Sequence, residues 1–384
     1  LDPGAWSAVV RDLSARVVRT PGVERATARL SATTETTWIV DSAGTRIRHP
    51  RVRVRIAVWG TATTDDGGDV AIYRWRDVHD PGRLPPREEL EAWAEDVARD
   101  TVAWRDAPAE PPYRGPVLLR GKAAGVFVHE VIGHRVEGHR QKDEDEGQTF
   151  RDMVGERVLP EGFHIVDDPT VAQLAGEDLN GHYAYDEEGV PARPAVIVED
   201  GVFRGFLLGR SPIEGFARSN GHGRASHGRR PVARMANTIL SVDDPLSADQ
   251  LRARMVTLLR EQGLEYGVVI DEIDGGFTMT GRFVPNAFNV TASTAWRIYA
   301  DGRPDERVRG IDLIGTPLVA LSQVVAAGGE PQVFNGVCGA ESGWVPNAAV
   351  APSLLLERVE VQRQHKDADR PPLLPAPGRP PEGA

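Results

Sequence analysis

The chain holds a single cysteine, Cys338, among its 384 residues. One thiol excludes a disulfide framework within the chain and leaves three roles: a buried apolar filler, a nucleophile or a metal ligand. No window approaches the roughly 18 consecutive apolar residues that a membrane span needs, so no membrane partner is expected. Cations are also in short supply. The 45 Lys and Arg stand against 56 Asp and Glu, for a formal net charge of −11. Nucleic-acid binding depends on Lys and Arg clustered against phosphates, so that class is not expected either. The one basic cluster, Arg224, Arg229, Arg230 and Arg234, reads as a solvated loop. The sequence starts at Leu1 and shows no charged start, apolar core and small-residue cleavage site. A cytoplasmic location is the expectation, with the proviso that a removed leader would leave the same trace.

What is present is the composition of a folded globular protein, 40% hydrophobic and 26% charged. The length suits two domains, or one large domain with an appendage. Residues 37–41 and 51–59 are rich in β-branched and aromatic side chains, with Ser42-Ala43-Gly44 as a turn between them. Asp65-Asp66-Gly67-Gly68 marks another turn. Leu90, Trp93, Ala94, Val97, Thr101 and Trp104 recur at helical steps and predict a helix over 87–104. Pro108, Pro111, Pro112 and Pro116 then stop it. The expected division is therefore a β-rich N-terminal domain over 1–112, a second domain over 113–364, and a disordered tail over 365–384. Residues 371–384 of that tail hold six prolines.

In the second domain, 117–119 reads as a strand, and a helix follows from Lys122. Residues 123–128 are almost wholly apolar, so this helix is buried and carries His129 and Glu130 into the interior. An irregular stretch runs to Gly189. A hairpin over 195–199 and 202–208 then turns at Asp200-Gly201, and 210–238 is loop-like. Ser247 and Gln250 form a capping box for a helix bearing Leu251, Met255, Leu258 and Leu259, closed by Gly263. Val290, Ala292, Thr294, Trp296 and Ile298 alternate as one face of a strand, Asp301-Gly302 turns towards Val308, and 317–327 suggests one more helix. No internal repeat is visible.

The chemical signal is His129-Glu130-Val131-Ile132-Gly133-His134. The zincin pattern has one residue fewer between its histidines. At about 100° per residue, a four-residue step returns to within about 40° of the start, whereas a five-residue step lands about 140° away. Both histidines reach one metal only if the helix is widened or broken, and Gly133 is where that change is cheapest. A helix with two incidental histidines is the competing reading. Against it, Glu130 follows the first histidine directly, where the base of a metal hydrolase would sit. Ionisable groups at the end of an apolar helix need a partner. Cys338, between Gly336 and Gly339 in what reads as a permissive loop, offers a third ligand.

These residues resemble the TldD/PmbA metallopeptidases. The motif from His129 to His134, continued by Val136-Glu137-Gly138, is similar to that family's active helix. Gly336-Val337-Cys338-Gly339 through Ser342 and Val345-Pro346 is similar to its C-terminal cysteine loop. Val166-Asp167-Asp168, Tyr185-Asp186-Glu187-Glu188-Gly189 and Arg234-Met235-Ala236-Asn237-Thr238 fall between them in the expected order. The resemblance runs from about residue 117 to 361. It implies a two-domain α+β fold with mixed, largely antiparallel sheets and helices. It also implies Zn2+ held by His129, His134 and Cys338, with Glu130 taking a proton from activated water and delivering it to the leaving amine. A thiolate donates more charge than a third imidazole, which makes the zinc a weaker acid, and oxidation of Cys338 would disable the site.

The implied substrates are extended or unfolded peptides entering a cavity between two subunits, either a homodimer or a heterodimer with a TldD/PmbA-family partner. This chain would be the motif-bearing, TldD-like one. Two departures stand out. His139 replaces an acidic residue, which makes it a competing ligand or a donor behind the ligands. The region before the motif is short, which points to a reduced N-terminal subdomain. His222, with His227, and Asn237 are candidates for substrate contact. Asp167, Asp168, Asp186, Glu187 and Glu188 read mainly as solvated loop acids. The rival functions are a non-catalytic assembly subunit with a structural metal, closed by His139 as fourth ligand, and an amide hydrolase acting on a small metabolite.

Overall fold

A computed structural model of the chain describes residues 1–283 and 286–364. The proline-rich segment read as a tail, 365–384, lies outside the described residues. The fold is α+β, with mixed and mostly antiparallel sheets.

The N-terminal part is a three-stranded antiparallel sheet, β1 (Arg25–Val40), β2 (Arg46–Thr63) and β3 (Asp69–Val78), in the order β1-β2-β3. Two helices, α1 (Pro3–Val18) and α2 (Arg87–Arg105), cover one face. Alternation along β2 decides which face. Val54, Ile56 and Val58 are fully buried, and Ile56 and Val58 join Leu13, Val17, Leu90 and Val97 in one core. The intervening residues Arg55, Ala57 and Trp59 face the other way, into a cavity. Helix α1 is not among the elements expected from the sequence, although Asp2 caps it and Pro3 occupies its first turn. The strands also run well beyond 37–41 and 51–59.

The larger part is built on an eleven-stranded sheet. Five of its strands close a ring through their pairings. In order around it they are Phe288–Tyr299, Tyr266–Thr278, β4 (Tyr113–Leu119), Gly343–Arg363 and Ile311–Gly315, which returns to Phe288–Tyr299. Helix α3 (Gly121–Val131) packs against these strands, and every residue except Lys122 is buried. Small residues make the approach close: a Cβ on Gly125 would sit 3.1 Å from the Ala349 carbonyl oxygen. The apolar run that announced a buried helix is thus explained by packing on all sides.

Several expectations are corrected. The helix read over 317–327 is only Pro317–Ser322, and from Val324 the chain is strand. Cys338 is not in a loop. It lies in the strand Val324–Ala340, opposite Val345 of Gly343–Arg363. The flanking glycines serve close approach instead, because the Trp344 ring lies over Gly339 and the Asn347 amide over Gly336. The hairpin at Asp200-Gly201 exists, with φ of 50° and 72°, but its second strand is only Val202–Phe203. The irregular stretch before Gly189 includes the strand Phe163–Asp167, which continues the large sheet.

Candidate metal centre

Helix α3 delivers His129 and Glu130 in its last turn and stops at Val131. Ile132 breaks it, with φ −108° and ψ −54°, and Gly133–Val136 continues as a 3-10 turn. The distortion required by the five-residue spacing is therefore a break. Gly133 has another reason to be glycine: a Cβ there would lie 2.0 Å from Met235 Sδ. After the break the two imidazoles lie with ring centroids 5.0 Å apart, at 86° to each other. Cys338 arrives from the hairpin, its Sγ 3.2 Å from His134 Nε2. One ligand atom from each of the three residues lies within 4.8 Å of the others, and all three residues are buried.

The surroundings fit a metal. His134 Nδ1 is 3.3 Å from Glu137 Oε2, and His129 Nδ1 is 3.1 Å from the Asn347 amide. The Glu137 carboxylate at Nδ1 of His134 leaves its Nε2 for an ion, the usual arrangement behind a metal-bound histidine. The Asn347 amide supports His129 in the same way when its oxygen, not its nitrogen, faces Nδ1. Burial pushes the Cys338 thiol up, but His134 and His129 outweigh it and hold the thiol well below its ordinary range. Burial pulls His134 down, yet Glu137 and Cys338 raise it well above. This mutual dependence of imidazole and thiolate is what a cation between them would replace. Glu130 is pushed above the usual carboxylate range, first by burial. Among the described residues its Oε2 is buried without a hydrogen-bond partner.

The ligands and Glu130 line a cavity of about 1110 Å³. The uncovered face of the N-terminal sheet forms one wall, with Trp59, Tyr73 and Trp75. Two seams fix that wall: Tyr73 Oη donates to the Ile273 carbonyl at 2.8 Å, and Arg55 Nη2 to the Asn335 carbonyl at 2.9 Å. The strand segments around Gly275–Gly276 and Gly336–Gly339 line the cavity as well. Gly276 is required beside the site, since a Cβ there would lie 2.8 Å from Glu130 Cγ.

The other named residues fall elsewhere. His139 is not among the ligand atoms; its Nε2 pairs with Glu341. His222 is fully buried, bonded to Asp167 and Asn220, and does not line the cavity. Asn237 is likewise buried, its amide donating to the Asp168 and Val171 carbonyls. The acids read as solvated divide. Asp167 and Asp186 are buried, the latter accepting backbone N–H bonds from Glu188, Val190 and Gly223. The basic cluster divides too, since Arg224 and Arg234 are buried. The sequence placed Glu137 in the family-like motif without giving it a role, although its position three residues after His134 is a helical-type spacing, and it gave no local signal for Asn347.

Fold and donor set together define an α+β protein with a buried His/His/Cys cluster of the kind that can hold a metal ion. The sequence profile described as the PmbA/TldA metallopeptidase C-terminal domain matches residues 112–363. The chain belongs to the PmbA/TldD metallopeptidase family. It is 28% identical over 309 residues to a metalloprotease of Methanothermobacter thermautotrophicus, covering 80% of this chain and 63% of that protein. It is 27% identical over 275 residues to a metalloprotease TldD homolog of Haemophilus influenzae, covering 70% and 52%. The chain thus spans between half and two thirds of the length of these relatives. The crystal structure of TldE from Thermococcus kodakarensis shares the fold, with TM-score 0.64, 16% identity, and coverage of 92% of this chain and 74% of that one. Among the described residues no helix is long and apolar enough to cross a membrane.

Proposed function

We propose that this chain is a zinc-dependent peptidase in which His129, His134 and Cys338 hold the ion and Glu130 is the general base. The observation that carries the reading is the buried, unpartnered Glu130 oxygen beside three convergent ligands at the wall of a large cavity. A soft thiolate with two imidazoles suits zinc, which in such a site polarises a carbonyl and makes water more acidic. Glu130 takes a proton from water and returns it to the leaving amine. A carboxyl raised by burial is suited to exchanging a proton in both directions. Among the described residues, two strand segments at the cavity, 274–278 and 336–340, each pair with another strand along one edge only. The backbone groups left over along their other edges favour an extended peptide, which would add as a strand. Phe277, Val337 and Trp344 are exposed apolar side chains at the same cavity, and they support closure by a second subunit, either this chain or a family partner. The structural-metal alternative needs His139 as a fourth ligand, and its pairing with Glu341 speaks against that.

The test compares zinc content and turnover of a fluorogenic peptide pool in the wild type and two variants. Glu130→Ala is expected to keep zinc and lose about 10²–10⁴-fold in turnover. Cys338→Ser is expected to lose both. Normal cleavage by Glu130→Ala would remove Glu130 from the mechanism.

A further inference from the structure

Arg234 touches the sulfur ligand, and the reaction proposed above makes no use of it. Its side chain is fully buried. Nη2 donates to Cys338 Sγ at 3.1 Å and to the Cys338 carbonyl at 2.9 Å. Nη1 donates to Ser342 Oγ at 2.9 Å and to the Gly343 carbonyl at 3.1 Å. Nε donates to Glu137 Oε1 at 3.1 Å. The other oxygen of Glu137 faces His134 Nδ1 and accepts from Arg140 Nε at 2.9 Å. One guanidinium therefore reaches the thiolate ligand directly and the second imidazole through a single carboxylate.

Charge balance alone does not explain this placement. Glu137 already has Arg140 as a cationic partner, and a buried arginine is costly unless every edge is used. A flat fork of fixed donors satisfies sulfur, carbonyl, hydroxyl and carboxylate at once, which a lysine ammonium does not. The chemistry at the sulfur gives the arrangement a purpose. A thiolate is a strong donor and weakens the acidity of the ion it binds. An N–H from a cation draws electron density back from that sulfur, as a charge-assisted hydrogen bond does from any anionic acceptor.

We propose that Arg234 is a positioning residue of the metal centre, which damps charge donation from Cys338 and, through Glu137, fixes the ring of His134. The proposal rests on the metal-centre reading above and extends it to the electronic character of the bound ion. It accounts for how a site with a thiolate ligand keeps its metal acidic enough to act on water.

The experiment uses the full chain loaded with Co2+, whose thiolate-to-cobalt absorption band reports electron density at the sulfur. Arg234→Gln is expected to move the band to longer wavelength and to weaken cobalt binding by about 10–100-fold. Arg234→Lys, which keeps the buried charge, is expected to move it the same way by less, and it carries the test if the glutamine variant does not fold. Arg140→Gln removes the other cation from Glu137 without touching sulfur, and its band is expected to stay in place. A band that moves in neither Arg234 variant, or moves equally in Arg140→Gln, overturns the proposal while the metal centre stands. A wild-type protein without such a band, or a band that survives Cys338→Ser, overturns the metal-centre reading itself.

Discussion

Asp186 shows how far a single residue can depart from its sequence-level reading. It looks like a loop acid, yet it is fully buried. Burial pushes its carboxyl up to about 6, against backbone N–H bonds from Val190, Gly223 and Glu188 that pull it down. In the unfolded chain the same group ionises near 3.8. The folded state therefore holds the proton more tightly. Its contribution to stability is complete below pH ~4 and is lost as pH rises through about 6, by roughly 2–3 kcal/mol. Urea unfolding of the wild type between pH 4 and 7 should show that decline, and Asp186→Asn should lack it. An unchanged profile in the variant would assign the decline to another group. The candidate metal-site residues behaved differently. His129, Glu130 and His134 were legible because they are contiguous and chemically distinctive. Glu137, Asn347 and Arg234 were not, because their roles depend on what packs against them.

At the scale of elements, α3 and the strand Tyr266–Thr278 have to fit each other. The helix was legible from its apolar run, and a distortion at its end, by widening or a break, from an angular argument alone. The strand was not read at all, and Gly276 within it carries the consequence. A Cβ at 276 would lie 2.8 Å from Glu130 Cγ and 2.9 Å from the Asn289 carbonyl oxygen. The second neighbour is backbone and cannot swing away. Gly276→Ala is therefore expected to cost about 1–3 kcal/mol in overpacking and to displace Glu130. Under the proposed function, turnover should fall while zinc content is retained. Thermal unfolding, metal analysis and peptide kinetics on one preparation check all three, and normal turnover would show that the Glu130 position is not constrained by this strand. The hairpin that carries Cys338 was read as a loop because its glycines look like turn residues. They are strand residues that let Trp344 and Asn347 cross.

At the scale of the molecule, the N-terminal sheet is held over the cavity by specific polar seams. Asp178 is buried and accepts the His79 backbone N–H at 2.7 Å as well as an ion pair from Arg83. Asp178→Ala leaves that N–H unsatisfied, a loss of about 1–3 kcal/mol. It should loosen the sheet against the larger part, raising KM for peptides more than it lowers kcat. The reverse pattern would mean that this wall does not meet substrate. Metal should act on the whole fold in the same way. A ligand bound only by the native state stabilises it by about 4 kcal/mol at a thousandfold excess over Kd. A chelator is thus expected to lower Tm in the wild type and to leave Cys338→Ser unmoved, as calorimetry would record.

The sequence by itself determined the candidate donor types, the buried helix that presents two of them and the need for that helix to widen or break if both are to reach one ion. Those properties follow from residues a few positions apart, where helical geometry and hydrophobic pattern act directly. Only the tertiary structure decided that Cys338, 204 positions from His134, lies on a strand with its sulfur against that imidazole, that arginines from a cluster read as solvated lie buried, and that a second sheet walls the cavity. Such contacts are selected by packing and charge satisfaction across the whole chain, and no local pattern encodes them.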